Sequence, residues 1–340
     1  MPRRIIAAIF FAAVIIIASL ASTGCGKTRR QGLALAVEYN THAACAYLAQ
    51  SKGWLREKGH EIEAFEVYAT GVALAAALTK ENIDAAYICL VPAITAYANA
   101  GVPIKIVCGT HKYGYALGVD PSKITGPRDL EKPGIKIGCV KEGATTDIFL
   151  HKIIESFGLD RQKVLENVLR MDPVKQVMAA AAGKLDALLV PEHFATLAEQ
   201  RLGYKILLKG QDVWPQMQGS VLVVTGKLLQ ENPEAVRDLL EVTAAATEFL
   251  NQNPSEAAEI VAGMLNAFPD DLKELAEDEA ERFGVNGKLV FSSMANMEYT
   301  TAVDLEQIQE IIDFIVKVGY IEERFSAAEL LLEESFLRGE

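Results

Sequence analysis

The chain has 340 residues, half of them hydrophobic, and a formal net charge of -12. Its length allows two domains of ordinary size, each with its own core, and its composition excludes a disordered or fibrous protein. The acidity, with no Lys/Arg-rich run beyond the N-terminal segment, excludes a nucleic-acid reader, which needs a basic stripe.

In chain order, Arg3 and Arg4 precede an uncharged apolar run, Ile5 to Leu20, and the small residues Ala21 to Gly24 lead to Cys25. This pattern predicts a signal peptide over residues 1–24 and a tether over 25–32. The Gly24-Cys25 junction resembles a bacterial lipobox, which makes Cys25 the lipid-modified residue. Ser22 stands where such a site usually carries Leu, so an uncleaved N-terminal anchor is the alternative. Both readings put the rest of the chain outside the cytoplasmic membrane and anchored to it.

From Leu33 onward, short apolar runs alternate with helical stretches. Strands are predicted at 33–37, 62–65, 85–89 and 104–107, with helices at 43–51, 72–79 and 92–98 between them. Strands separated by helices of about ten residues imply parallel βαβ units. The pattern restarts with strands at 116–119, 135–139, 187–190, 205–208 and 221–224, and helices at 145–157, 174–181 and 192–200. The remainder reads as helical: 233–250, 255–265, 270–283, 305–318 and 327–336. An echo links the halves: Ile83-Asp84-Ala85 and Leu185-Asp186-Ala187 each follow a helix and tight turn, open a strand, and lead to a proline, Pro92 or Pro191. Two lobes built on one supersecondary unit account for it.

In open parallel sheets, ligands bind outside the carboxyl ends of the strands. The loops there are Tyr39-Asn40-Thr41-His42, Thr70-Gly71, Cys89-Leu90-Val91 and Gly143-Ala144-Thr145-Thr146. Helix N-termini offer unpaired amides to ligand oxygens, Thr hydroxyls add donors, and Gly permits close approach. Glu192, at the mouth of the second lobe, and Trp214, near a hinge, complete the candidate set. There is no GxSxG elbow, HExxH, P-loop or GxGxxG after the first strand, and the five histidines lack metal-ligand spacing. We therefore expect no catalytic residue, metal or cofactor. Cys45, Cys89, Cys108 and Cys139 lie in apolar segments and read as buried thiols rather than disulfides.

Asp84-Ala85 through Pro92-Ala93-Ile94, Gly101-Val102-Pro103-Ile104, Gly126-Pro127-Arg128-Asp129-Leu130, Lys141-Glu142-Gly143-Ala144-Thr145 and Asn232-Pro233-Glu234 occur in an order similar to the ABC-transporter solute-binding proteins for nitrate, sulfonate, taurine and thiamine-pyrimidine precursors. That resemblance implies an α/β, type II periplasmic-binding fold with a ligand cleft between two lobes. Residues 33–114 plus 213–340 would form lobe 1 and 115–212 lobe 2, with crossings near 115–119 and 211–221. It implies a monomer that carries a small molecule to an ABC permease and its ATPase without chemical change, and that binds no nucleic acid. Many relatives carry Gly-Ser where Cys89-Leu90 stands, and no arginine is evident in the pocket loops, which weakens the case for a strongly anionic ligand. The alternative is an enzyme on the same fold, a thiamine-pyrimidine synthase or small-carboxylate dehydratase, with Glu192 and His42 in acid–base roles.

Overall fold

Every residue of strand β1 (Leu33–Glu38) is buried, and its run of Leu, Ala and Val is what a strand covered on both faces requires. The computed structural model describes residues 32–267, 283–333 and 336. Around β1 lie β2 (Ile62–Tyr68), β3 (Ala85–Cys89), β4 (Ile104–Tyr113), β10 (Gln218–Thr225) and β11 (Met297–Tyr299), ordered β11-β4-β10-β3-β1-β2. β1 pairs in parallel with β2 and β3, whereas β10 runs antiparallel to β3 and β4. Parallel neighbours need crossover helices, supplied by α1 (Ala44–Lys52) and α2 (Gly71–Leu78), while α3 (Leu90–Ala100) carries the chain from β3 to β4 on the far side of β10.

The second sheet comprises β5 (Tyr115–Val119), β6 (Ile137–Cys139), β7 (Val168–Arg170), β8 (Ala187–Pro191) and β9 (Lys205–Lys209), ordered β7-β6-β8-β5-β9. It carries α4 (Thr145–Ser156), α5 (Pro173–Ala181) and α6 (Glu192–Leu202). The two sheets establish the two-lobed α/β fold of the type II periplasmic-binding class. The echo in the sequence has a physical counterpart. The Asp84 carboxylate accepts the Ala34 amide at 2.8 Å, and the Asp186 carboxylate accepts the Lys136 amide at 2.8 Å, each across 50 residues. In both lobes an aspartate pins the start of one strand to the start of its neighbour.

β4 reaches Tyr113 in the first sheet and β5 begins at Tyr115 in the second, so Gly114 alone separates them. Gly114 has φ +88, and a Cβ there would meet His42 Nε2 at 2.7 Å, so this position requires glycine. The return crossing runs between Lys209 and Gln218. β5 itself belongs to the second sheet, pairing along its length with β8 and over Ala116–Val119 with β9, so the link between the sheets lies at Gly114, beside the 115–119 segment.

α7 (Pro233–Gln252), α8 (Pro254–Ala267), α9 (Gly287–Met294) and α10 (Leu305–Val318) follow. Residues 334–335 of the expected helix at 327–336 lie outside the described residues, and its start is one 3-10 turn, Ala327–Glu329, capped by Ser326 and Glu329. It ends there because Leu330 and Leu332 bond to the Ile106 backbone, extending the chain along β4. The predicted signal peptide, most of the tether with Cys25, and nearly all of the 270–283 helix lie outside the described residues. Among the described residues no helix is long and apolar enough to cross a membrane. Cys45, Cys89, Cys108 and Cys139 are all buried and free.

Candidate functional site

A cavity opens between strand ends of both sheets. From the first lobe come Glu38, Asn40, Thr70, Gly71 and Cys89; from the second, Tyr115, Val140, Thr145, Thr146 and Pro191. Two pairs are equivalent by the aspartate ties. Glu38 and Val140 each stand four residues after the pinned amide, and Cys89 and Pro191 five after the pinning aspartate. The second lobe therefore presents apolar surface where the first presents a carboxyl and a thiol. Among the described residues, no Lys or Arg side chain lines this cavity.

The polar end is a compact cluster. Glu38 Oε1 accepts the Cys89 amide at 2.6 Å, and the Cys89 thiol donates to Oε2 at 3.1 Å. Asn40 Nδ2 donates to the same Oε2 at 3.3 Å. His42 Nδ1 lies 3.6 Å from Cys89 Sγ, while its Nε2–H donates to the Gly114 carbonyl at 2.6 Å. Tyr115 Oη donates to Cys89 Sγ at 2.8 Å. Gly71 permits this arrangement, since a Cβ there would meet Glu38 Oε1 at 2.5 Å and Pro92 Cγ at 2.8 Å. Burial, ahead of all other influences, raises the Glu38 carboxyl above its usual range and pushes the Cys89 thiol well up. Burial also lowers His42 to about 4, against the smaller opposing effect of its bond to Gly114. Cys89 is accordingly a protonated thiol at neutral pH, without the activation a nucleophile needs.

Of the loop residues expected at the site, Asn40, Thr70, Gly71, Cys89, Ala144, Thr145 and Thr146 line the cavity. Thr70 also caps α2, accepting the Ala73 amide at 3.2 Å. His42 stands behind Cys89. The Thr41 carbonyl accepts Tyr299 Oη at 3.0 Å and holds the loop. Leu90 and Val91 are committed to the hydrophobic core of α3, and the Gly143 amide bonds Asp147 at the start of α4. Trp214 is buried beside Phe314, with the Lys152 ammonium over its ring, and does not border the cavity. Glu38, Tyr115, Val140 and Pro191, with Ala69, Pro92 and Pro173, are the wall residues missing from the sequence-based set. A glutamate closing the otherwise apolar LALAVE strand was the available signal.

Tyr39 instead borders a second, mostly apolar cavity with Val174, Val177, Phe194, Leu197 and Val285. His193, also on its wall, is wholly buried with neither ring nitrogen hydrogen-bonded, and burial lowers it to about 3. Glu192 lies at the junction of the lobes. Its amide donates to the Gly114 carbonyl at 2.9 Å, and its Oε1 accepts Asn296 Nδ2 at 2.6 Å. Lys209 Nζ reaches Asn296 Oδ1 at 2.6 Å. Burial raises Glu192 to about 7, partly opposed by the Asn296 bond and the Lys209 charge.

Residues 26–266, well over half of the chain, match the profile of the family described as NMT1-like. A Brucella abortus protein known by name only as a binding protein is 30% identical over 180 residues, 49% of this chain and 55% of its own length. The chain thus spans about half the length of the curated relatives it matches. The alkanesulfonate-binding protein of Xanthomonas axonopodis pv. citri, solved with MOPS, superposes with a TM-score of 0.72 at 15% identity, covering 90% of this chain and 99% of that one. A ligand-binding component of an ABC-type import system from Staphylococcus aureus, solved with zinc, gives 0.71 at 19% identity over 90% and 98%. The nitrate-binding protein of Synechocystis gives 0.68 at 15% over 91% and 87%. Identities this low carry the fold and nothing finer.

Proposed function

Since the chain belongs to the NMT1-like family, we propose that it is the extracytoplasmic solute-binding component of an ABC-type importer. The observation that carries this reading is the cavity itself, walled by strand ends of two sheets that are joined by two crossings. Solute contacts from both walls exist only when the lobes approach, so a solute that touches both shifts the population toward the closed form. The binding roles named in several relatives and the absence of an activated nucleophile at Cys89 support capture without turnover.

The solute we propose is small, of the sulfonate, nitrate, taurine or pyrimidine kind, and held mainly by hydroxyls and helix-terminal amides. Thr145 and Thr146 begin α4, and Gly71 begins α2, so two helix N-termini face the cavity. A thermal-shift screen over those four classes, followed by calorimetry and recovery of the solute, tests the proposal. We expect one class to raise the melting temperature and to be recovered unchanged. Conversion of the solute would establish an enzyme instead, and no response to any class would remove the transport reading.

Attachment through a lipid on Cys25 belongs to the same proposal. Replacing Cys25 with Ser should release the protein from the membrane fraction, as read by sedimentation; a variant that still pellets would show that the apolar leader itself is the anchor.

A further inference from the structure

We propose that Glu38, His42 and Cys89 form a three-ligand site for a divalent transition cation of the zinc class, with its remaining coordination position facing the interlobe cavity. A carboxylate oxygen, an imidazole nitrogen and a thiolate are the donor types such an ion takes. One ligand atom from each residue lies within 4.8 Å of the others, and all three residues are buried. Around a tetrahedral ion with bonds of about 2.0–2.3 Å, neighbouring ligand atoms stand about 3.3–3.6 Å apart. Here Cys89 Sγ is 3.6 Å from His42 Nδ1 and 3.1 Å from Glu38 Oε2, close to that spacing, and the Glu38–His42 separation stays within 4.8 Å.

The surroundings orient each donor. His42 gives its Nε2–H to the Gly114 carbonyl, which leaves Nδ1 as the lone-pair nitrogen on the side of Cys89, the outer-shell arrangement that metal-bound histidines use. The Cys89 amide fixes Glu38 Oε1, which turns Oε2 toward the thiol. Glu38 and Cys89 also line the cavity, which Thr145 and Thr146 border, so the free corner is assigned to that side. The corresponding second-lobe positions, Val140 and Pro191, offer no side-chain donor. The cluster is therefore not a by-product of the repeated fold. Binding replaces the thiol proton with the metal and releases that proton to solvent.

This inference stands apart from solute transport, since either can fail while the other holds. The test uses the full chain, stripped with EDTA, dialysed, and titrated with Co²⁺ as a spectroscopic probe. We expect one equivalent to bind with a thiolate-to-cobalt charge-transfer band and tetrahedral visible bands, and Zn²⁺ to abolish both. Cys89→Ser should lose the charge-transfer band, whereas Cys45→Ser and Cys108→Ser should keep it. No such band in the wild-type protein, or its survival in Cys89→Ser, overturns the proposal. If Cys89→Ser does not fold, His42→Gln decides, because a Gln amide can still donate to Gly114 while presenting no imidazole. Wild-type cobalt binding in that variant overturns the site, and weakened binding supports it.

Discussion

Glu192 shows how one buried side chain makes stability respond to pH. Its folded-state value of about 7 stands above the ordinary 4.5, because burial penalises the charged form. The unfolded chain gives up this proton first, so stability is intact below about 4.5 and falls as pH rises through about 7, by about 3 kcal/mol in all. Glu192→Gln keeps an acceptor for Asn296 and removes the titration. Urea unfolding at pH 5 and pH 8 should show the variant gaining on wild type at the higher pH; an equal difference at both would contradict this origin. The same residue scale explains why the site was only partly legible. Glu38 and His42 stand four positions apart, at a strand end and in the 3-10 turn that follows, where that spacing signals nothing. Cys89 joins them through the β1–β3 pairing, a contact 47 and 51 residues distant in sequence.

At the scale of elements, the paired aspartates explain why the halves could be read so directly. Asp84 and Asp186 each accept a partly buried amide at a strand start, and each also donates its own amide back to that strand's backbone. Asp84→Ala or Asp186→Ala should each cost about 1–3 kcal/mol, the penalty of an amide left without its acceptor. Denaturant midpoints measure this, and a change below about 0.5 kcal/mol, ordinary for surface substitutions, would deny the role. Fully buried strands such as β1, β3 and β8 were visible as unbroken apolar runs. β7 and β11 were not, because three-residue edge strands with exposed positions carry too little pattern. Leu330 to Leu332 misled for another reason: their apolar run suits a helix, but pairing with Ile106 takes the backbone instead.

Across the whole molecule, side-chain bonds bridge the lobes one residue beyond the cavity wall. Asp147 in α4 of the second lobe has no exposed side-chain surface, is paired with Arg170 at 2.6 Å, and accepts Tyr320 Oη at 2.6 Å. The Tyr320 backbone is held in turn by Asn99 of α3 in the first lobe. Tyr320→Phe should weaken solute affinity by up to about 10- to 150-fold, because it removes about 1.5–3 kcal/mol available mainly when the lobes are together. Calorimetry against the identified solute, with small-angle scattering of the free protein, should show weaker binding and a more extended average form. Unchanged affinity would place the lobe equilibrium elsewhere. The bilobal plan was thus written in the sequence, whereas these bridges, made by residues far apart along it, were not.

The carbonyl of Gly114 accepts two donors at once, His42 Nε2 from the first lobe and the Glu192 amide from the second. Swinging the halves apart about this residue strains at least one of those bonds before the gap widens. One peptide oxygen thus ties both halves to the same pivot, and whatever turns about it must act on a histidine ring and a helix terminus together.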